Sequence, residues 1–182
     1  MRYLKKLIVT KEFRGIQPFT LELKDGINII VGENGIGKSS LLSLISNETY
    51  KKYVKFDVEP NTTFRAFDTE KDNPRIKTDM NTMKNPAFSL NARFVSHGEA
   101  MLPLIKAIKD FNDCLIIIDE PEAGLSIFNQ RKILKVFKES ITKNNCQIIL
   151  TTHSYVIIEN AKQVFSMDNK KWIKSDEYLK NS

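Results

Sequence analysis

A short glycine-rich segment combines residue types that together can bind phosphate. Residues 32–39 are G-E-N-G-I-G-K-S, the phosphate-loop spacing of glycine, four residues, glycine, lysine and serine or threonine. Glycines let successive backbone amides point into one concavity, where they can bind phosphate oxygens. We expect Lys38 to contact the β- and γ-phosphates of a nucleotide, and the Ser39 hydroxyl to bind Mg²⁺.

The flanks of this loop have the character that a phosphate loop requires. The apolar, β-branched run Ile27–Val31 predicts a strand, and Lys38–Ser46 predicts a helix with Leu41, Leu44 and Ile45 on one face. The N-terminus of that helix would add its positive end to the site. A glycine-rich turn without a ligand is the alternative. The candidate nucleotide-binding residues here are Gly32, Glu33, Asn34, Gly35, Ile36, Gly37, Lys38, Ser39 and Ser40.

Two consecutive carboxylates follow a candidate buried strand. Residues 114–118 form an unbroken apolar run that leads to Asp119 and Glu120. In a parallel sheet, this end of the strand faces the same crevice as the phosphate loop. Asp119 would then bind Mg²⁺, and Glu120 would orient or deprotonate an attacking water. The alternative is that both carboxylates simply end a strand in solvent.

A histidine follows a second apolar strand candidate, residues 146–152. His153 could hydrogen-bond a γ-phosphate oxygen or the attacking water. The candidate catalytic residues are therefore Lys38, Glu120 and His153. A purely structural histidine at the end of a strand is the alternative reading of position 153.

A second candidate anion site precedes a predicted helix. Residues 94–100 are F-V-S-H-G-E-A, in which Ser96, Gly98 and Glu99 lie at a loop-to-helix junction. A serine hydroxyl, a glycine amide and a helix N-terminus can together bind an anion. One chain rarely needs two such sites for one nucleotide, so a second chain could bring this junction to the first chain's nucleotide. A plain Ser96 helix cap is the alternative.

Composition places the chain among soluble globular domains. Its 182 residues are 41 % hydrophobic and 27 % charged. No apolar run approaches the ~20 residues that a membrane-spanning helix needs, and residues 1–12 lack the apolar core of a signal peptide. We expect a cytoplasmic protein without membrane insertion.

Cysteine content and charge add weaker constraints. Cys114 and Cys146 each begin an apolar run, which predicts buried reduced thiols. No Cys/His cluster has the spacing of a metal site. The net charge of +6 is compatible with nucleic-acid contact, although a solvated basic surface explains it equally well.

The order of predicted elements suggests how these residues are brought together. Candidate strands come first, at residues 3–10, 19–24, 27–31, 53–60 and 62–70, followed by a polar loop at 71–86. From residue 96, candidate helices alternate with buried strands, which predicts a parallel sheet with right-handed crossovers. A helix at 126–143 is predicted because Ile127, Leu134, Phe137 and Ile141 lie on one face of it.

These motifs together resemble those of ABC-type ATPases, in order and in approximate spacing, and the resemblance covers nearly the whole chain. It implies an α/β P-loop NTPase fold with a mostly parallel sheet, an N-terminal antiparallel β subdomain and a reduced helical lobe. It also implies one domain over residues 1–182, in which residues from about 50 to 95 form the reduced, partly irregular lobe.

The resemblance also implies a role for each candidate residue. Lys38 and Ser39 match the Walker A loop of the family, and Asp119 matches its Walker B aspartate. Glu120 is similar to its catalytic glutamate and His153 to its switch histidine. The residues Ser96, Gly98 and Glu99 resemble a shortened signature motif, which in this family contacts the γ-phosphate bound by the partner.

The chain resembles the non-transporter members most. These are the small chromosome-maintenance, DNA-repair and phage-defence proteins often labelled "AAA family ATPase". Two departures from the transporter pattern are clear. His97 stands in the signature where transporters have a small residue, and no glutamine occurs between Gln17 and Gln130, so the Q-loop glutamine is absent. Glu70 is a candidate substitute.

The function expected from all of this is Mg²⁺-dependent ATP hydrolysis by an ATP-dependent, head-to-tail homodimer. Nucleic acid and a client protein are the candidate partners. Three alternatives stay open. They are a slowly hydrolysing, nucleotide-gated module that binds DNA or a partner, the ATP-binding subunit of a transporter, and a P-loop kinase, for which no acceptor site or arginine-rich lid is evident.

Overall fold

Nine strands and four α-helices are found in the part of the chain that a computed structural model describes, residues 3–68 and 108–181. None of the helices in these two ranges is long and apolar enough to cross a bilayer. The strands are Leu4–Val9 (β1), Phe19–Glu22 (β2), Ile27–Val31 (β3), Val54–Val58 (β4), Thr63–Asp68 (β5), Cys114–Asp119 (β6), Gln147–Thr151 (β7), Gln163–Ser166 (β8) and Lys171–Lys174 (β9). The α-helices are Lys38–Ser46 (α1), Ile127–Thr142 (α2), Tyr155–Glu159 (α3) and Ser175–Asn181 (α4), and two 3₁₀ helices span Glu48–Tyr53 and Ile108–Asp110.

The larger sheet has six strands in the order β5-β6-β7-β3-β8-β9. Its first five strands are parallel, and only β9 runs antiparallel to its neighbour. The three central strands β6, β7 and β3 are almost entirely buried. Strands of parallel sheets are apolar throughout because helices cover both faces. The predicted parallel sheet is therefore confirmed.

The smaller sheet is antiparallel and has the order β2-β1-β4. Leu7 of β1 lies opposite Leu21 of β2 and opposite Phe56 of β4. Leu21 is buried, whereas its neighbours Thr20 and Glu22 are exposed. This alternation is typical of a sheet with one face in solvent. The structure thus contains the antiparallel β subdomain that the resemblance implied.

The strands β4 and β5 belong to different sheets, although only a short turn separates them. β4 pairs with β1 in the antiparallel sheet, and β5 pairs with β6 at the edge of the parallel sheet. Residues 54–68, which were expected within a partly irregular lobe, therefore form regular strands of both sheets. The rest of that lobe, from residue 69 to 95, lies outside the described residues.

The helix α2 covers one face of the parallel sheet. Ser126 caps it, since its hydroxyl accepts a bond of 3.4 Å from the Asn129 amide. Its buried side chains include Leu134 and Phe137, two residues of the apolar face from which the helix was predicted. Ile127 of the same apolar face is 60 % exposed. Ile127 lies on the same helix face as Leu134, but in the first turn, two turns before the packed contact begins.

The chain beyond β8 was not anticipated from the sequence. The strand β9 returns antiparallel to β8, and α4 follows it directly. Trp172 packs edge-on against Phe165, with ring centroids 5.7 Å apart. The same Trp172 donates its indole N–H to the carbonyl of Glu22 at 2.9 Å. The C-terminal segment therefore contacts both sheets.

A buried glutamine joins the two sheets. Gln147, at the start of β7, is 0 % exposed. Its side-chain oxygen accepts from the Leu4 amide at 2.8 Å, and its side-chain nitrogen donates to the carbonyls of Leu4 and Lys24, both at 3.0 Å. Buried amides need such partners, because an unpaired one loses its hydration without compensation.

The two cysteines lie side by side in the core. Cys114 and Cys146 are both buried and free, with their Sγ atoms 3.7 Å apart. Burial, together with the neighbouring Cys146 thiol, raises the pKa of Cys114 to about 12. The predicted buried thiols are confirmed, and the high pKa makes Cys114 a poor nucleophile.

Candidate functional site

The phosphate loop connects the centre of the parallel sheet to a helix. It leaves β3 after Val31 and enters α1 at Lys38. β3 lies between β7 and β8, so the ends of β6, β7 and β8 surround the loop at the same edge of the sheet. This is the strand–loop–helix arrangement that the sequence predicted.

Two glycines of the loop are required by their surroundings. Gly37 has φ +102°, and a Cβ there would lie 2.8 Å from Ile16 Cγ1. A Cβ at Gly32 would lie 2.9 Å from a carboxylate oxygen of Asp168 and 3.2 Å from Met167 Cβ. Neither position can hold a side chain without movement of its neighbours.

The N-terminus of α1 offers its amides to an anion. Gly37 is the cap residue of this helix, no side chain caps it, and its first turn contains no acidic residue. The first amides of a helix need an acceptor, and an anion such as phosphate supplies one. The loop residues Glu33, Asn34, Gly35 and Ile36 and the first-turn Ser39 are exposed beside this end.

Lys38 lies inside the loop rather than in solvent. It is only 5 % exposed, and its Nζ donates to the carbonyls of Gly32 and Glu33 at 3.0 Å each. Burial lowers the pKa of Lys38, while the carboxylates of Glu120 and Asp119 act in the opposite direction. The ammonium group is therefore within electrostatic range of both strand-end carboxylates.

The carboxylates of β6 are held by a residue of the neighbouring strand. The hydroxyl of Thr151, at the end of β7, donates to Asp119 Oδ1 and accepts from the Glu120 amide at 3.1 Å. Thr151 is completely buried. Thr151 was not among the residues predicted from the sequence. Its one signal was a polar residue at the end of an otherwise apolar strand.

Glu120 combines an unusual backbone conformation with a perturbed carboxyl group. Its backbone is left-handed, with φ +46°, which is uncommon outside glycine and asparagine and frequent at functional sites. Burial raises the pKa of the Glu120 carboxyl, with further increases from Asp119 and Glu122 and decreases from His153 and Lys38. A carboxylate with a raised pKa accepts a proton more readily than an unperturbed one.

His153 lies next to Glu120. The distance between His153 Nε2 and Glu120 Oε1 is 3.7 Å, and the two side chains are 39 % and 42 % exposed. The backbone of the histidine is held from the other side of the turn. Glu122 Oε1 accepts from the His153 amide at 2.7 Å and from the Ser154 amide at 3.1 Å. The structure thus brings together the predicted Lys38, Asp119, Glu120 and His153.

The C-terminal segment also contacts the phosphate loop. Asp168, in the turn after β8, accepts from the Glu33 amide at 3.4 Å. Burial raises the pKa of Tyr178 in α4, Asp168 raises it further, and a hydrogen bond with the Gly32 backbone lowers it. Neither Asp168 nor Tyr178 was recognised from sequence, because both lie in elements that were not predicted.

Four predicted residues lie outside the described residues. They are Ser96, Gly98, Glu99 and the candidate substitute Glu70. Their proposed contact with the nucleotide of a second chain stays a prediction.

The donor set suits Mg²⁺ that is bound together with a nucleotide. Ser39 and Asp119 offer only oxygen ligands, which is the preference of this ion. Within the described ranges, no group of three or more His, Cys, Asp or Glu side chains could hold a metal by itself. Mg²⁺ is commonly bound through one or two protein oxygens, with phosphate oxygens and water completing the coordination. The two residues fit such a site.

The fold is shared with a component of an ABC transporter complex. The structure of CbiO1 from Clostridium perfringens, described as part of the ABC transporter complex CbiONQ, superposes with a TM-score of 0.69. The match covers 98 % of this chain and 92 % of that one, at 16 % sequence identity. At this identity the likeness establishes the fold and nothing more.

Sequence relatives come from two functional groups. The zinc import ATP-binding protein ZnuC of Ehrlichia ruminantium (strain Gardel) is 24 % identical over 199 residues, which cover 91 % of this chain and 82 % of ZnuC. The DNA replication and repair protein RecF of Pseudoalteromonas translucida is 60 % identical, but only over 35 residues, which cover 19 % of this chain and 10 % of RecF.

The family assignment covers both the phosphate loop and the strand-end residues. The sequence matches the family described as "AAA ATPase domain" over residues 3–107 and 95–158. These ranges include most of the chain and every predicted site residue. Binding and hydrolysis of ATP is the general activity of this family. The chain therefore belongs to the AAA ATPase domain family and has the fold of an ABC-type P-loop ATPase.

Proposed function

We propose that the chain hydrolyses ATP with Mg²⁺ at the crevice above the parallel sheet, and that it does so as an ATP-gated head-to-tail homodimer. One observation carries the catalytic part of this proposal. Lys38, Glu120 and His153 come from three separate elements and meet at one edge of the sheet, where Glu120 and His153 are 3.7 Å apart. A phosphate loop alone would support binding, whereas this pair beside it supports hydrolysis.

Each residue has a distinct role in the proposed reaction. The amides of residues 32–39 and the Lys38 ammonium bind the β- and γ-phosphates. Glu120 accepts the proton of a water whose oxygen attacks the γ-phosphorus, as the bond to the β–γ bridging oxygen breaks and ADP leaves. His153 orients that water or a γ-phosphate oxygen. Ser39 and Asp119 would hold Mg²⁺, which neutralises charge on the phosphates when bound.

The homodimer would complete this site. Glu120 and His153 are each about 40 % exposed in the single chain, with side-chain values of 42 % and 39 %. A second chain placed over them would exclude water and strengthen the electrostatic interactions in the crevice. The segment with Ser96, Gly98 and Glu99 has the residue types to provide that cover. We propose that ATP holds the interface and that hydrolysis releases it.

ATP hydrolysis could serve one of two kinds of partner, DNA or a membrane transporter, and each is supported by a different relative. RecF is a DNA replication and repair protein, and this chain has a net charge of +6. We therefore propose DNA as the first partner to test, with nucleotide-dependent binding as the expected behaviour. ZnuC is a zinc import ATP-binding protein and matches along more of the chain. The absence of a glutamine between Gln17 and Gln130 argues against coupling to a membrane partner.

Phosphate release is the test of the catalytic proposal. Wild-type protein should release free phosphate from ATP, and Glu120→Gln should bind ATP but lose most turnover, because the base is removed. Lys38→Ala should lose binding itself, because a charge-assisted phosphate contact disappears. The matched controls are Glu139→Gln and Lys51→Ala, which alter residues paired on the surface with Lys109 and Glu48. Normal turnover in Glu120→Gln would refute the role of Glu120.

Partner binding needs a separate measurement. The affinity for duplex DNA should be measured with and without ATP at several salt concentrations, using Glu120→Gln to prevent turnover. Phosphate contacts make DNA affinity fall steeply with salt. Affinity that depends on both salt and ATP would support the DNA-binding module. No affinity under any of these conditions would exclude it and leave a protein client as the partner to seek.

A further inference from the structure

We propose that Glu122 is a positioning residue that fixes His153 at its working distance from Glu120. This inference rests on the proposed catalytic roles of Glu120 and His153. It concerns a carboxylate that neither binds nucleotide nor touches the attacking water in the proposed reaction.

The contact is direct and involves one oxygen. Glu122 Oε1 accepts two backbone hydrogen bonds, from His153 at 2.7 Å and from Ser154 at 3.1 Å. Hydrogen bonds to a charged acceptor are stronger than those between neutral groups. The second oxygen, Oε2, is buried, and no described residue donates to it. The hydrogen bonds that the described residues make to this carboxylate therefore come from these two amides.

Glu120 and Glu122 belong to the same turn. The hydrogen bond from the His153 amide to Glu122 therefore also ties His153 to Glu120. Within this turn the Ala123 amide donates to the Glu120 carbonyl at 3.0 Å, and the Leu125 amide donates to the Glu122 carbonyl at 2.8 Å. These short-range hydrogen bonds fix the conformation of the turn. Any movement of the Glu122 side chain relative to this turn would change the spacing between Glu120 and His153.

A second connection holds the same loop from α2. Gln130 donates to the Leu125 carbonyl at 2.9 Å and accepts from the Ser154 hydroxyl at 2.7 Å. The Ser154 hydroxyl also caps α3 by accepting from the Ile157 amide at 3.2 Å. Ser154 thus stays anchored without Glu122, whereas the described residues provide no second bond to the His153 amide. Loss of Glu122 should therefore displace His153 more than it disturbs the fold.

The imidazole has no independent support. In the described part of the chain the ring makes no hydrogen bond, and the one ion pair found for it there is with Glu120 at 3.7 Å. Its position is consequently set by the backbone to which it is attached. Since small misplacements of catalytic groups cost large factors in rate, the two bonds from Glu122 should control how well His153 acts.

Three substitutions of Glu122 test separately its charge, the length of its side chain and the presence of an acceptor oxygen. Glu122→Gln keeps an oxygen at the same distance from the backbone and should retain kcat within about threefold. Glu122→Asp withdraws the acceptor by one methylene, and Glu122→Ala removes it. Both should lower kcat on the order of 10- to 100-fold. The Kd for ATP should stay within about twofold in all three, because the phosphate loop is untouched.

A combination with His153→Ala distinguishes positioning from general destabilisation. If Glu122 acts through His153, Glu122→Ala should slow the His153→Ala protein by less than twofold, although it slows the wild type strongly. Equal factors in both backgrounds would overturn the proposal. Glu122→Asp provides the same comparison if the alanine variant does not fold. Glu139→Ala is the matched control. It removes a glutamate from α2, the helix that follows the turn with Glu122, and should leave kcat unchanged.

The arms of this experiment also separate this inference from the proposed function. If His153→Ala leaves kcat at the wild-type value, the catalytic role of His153 fails, and the role of Glu122 fails with it. If His153→Ala slows turnover but Glu122→Asp and Glu122→Ala do not, the catalytic role of His153 stands and only the present inference is overturned.

Discussion

Gly37 packs against Ile16 so closely that a Cβ at position 37 would lie 2.8 Å from Ile16 Cγ1. Ile16 is buried and belongs to the turn between β1 and β2, where residues 13 and 16 pair as an isolated bridge. The antiparallel sheet therefore supports the phosphate loop from outside. The loop takes its shape from this contact as well as from its own glycines.

We predict that Gly37→Ala weakens ATP binding at least tenfold. The added methyl group would contact Ile16 and would also require φ +102° of a residue with a side chain. Gly15→Ala is the matched control. It carries a similar φ of +82°, but no atom lies within 4 Å of the added Cβ. Calorimetric titration with ATP should show a loss for Gly37→Ala only. Equal affinities in the two variants would contradict the packing argument.

Thr151→Val should raise the Mg²⁺ concentration that half-maximal turnover requires. The substitution keeps the shape of the side chain but removes the hydroxyl that donates to Asp119 and accepts from the Glu120 amide. Residues that orient a metal ligand typically contribute 10- to 100-fold to metal affinity. Thr142→Val is the control, because its hydroxyl bonds only the Lys138 carbonyl on an exposed helix face. An unchanged Mg²⁺ requirement in Thr151→Val would show that this contact does not orient Asp119.

The activity should fall on the acid side at a higher pH than an ordinary glutamate would give. Burial, Asp119 and Glu122 raise the pKa of Glu120 above its usual value of 4.5. The base works only when ionised, so kcat/KM should decrease as the pH is lowered through this raised pKa. A pH profile of kcat/KM reports groups of the free enzyme and measures this value directly. An acid limb centred at or below 4.5 would contradict the assignment.

Glu120→Gln should accumulate as an ATP-bound dimer, whereas the wild type should return to monomer after turnover. The glutamine keeps the size of the side chain and its hydrogen bonding but cannot accept the proton of water. Light scattering at saturating ATP and Mg²⁺ measures the mass of both proteins. Ser96→Arg in the same background should prevent the dimer and leave ATP binding intact, because bulk and charge are added to the facing segment. A Glu120→Gln protein that stays monomeric would refute the dimer.

The parts of the site that depend on neighbouring residues were predictable from sequence. The loop from Gly32, the strand before it and the helix from Lys38 form one continuous segment, in which glycine spacing and apolar periodicity determine the structure. The carboxylates at the end of β6 and the histidine after β7 followed from the same reasoning. Parallel strands end at one edge, so their terminal residues were expected to meet.

The parts that depend on distant pairing were not predictable in this way. Glu122 bonds His153, which is 31 positions away, and nothing in the residues around either one indicates the other. The assignment of β5 to the parallel sheet likewise depends on its register with β6, which the local sequence does not determine. β9 has only Trp172 and Ile173 as apolar residues, too few for a clear strand pattern.

The glutamine that joins the two sheets has a consequence for how the chain folds. Gln147 and Leu4 are separated by 143 positions, and the strands of the antiparallel sheet all lie within the first 58 residues. During synthesis this sheet can form on the order of ten seconds before β7 is available. Until then, the apolar face that includes Leu7 and Leu21 lacks Ile149 of β7, which belongs to the same core. Because contacts of such long separation also close slowly, the nascent chain is most vulnerable to aggregation between the completion of β4 and the arrival of Gln147.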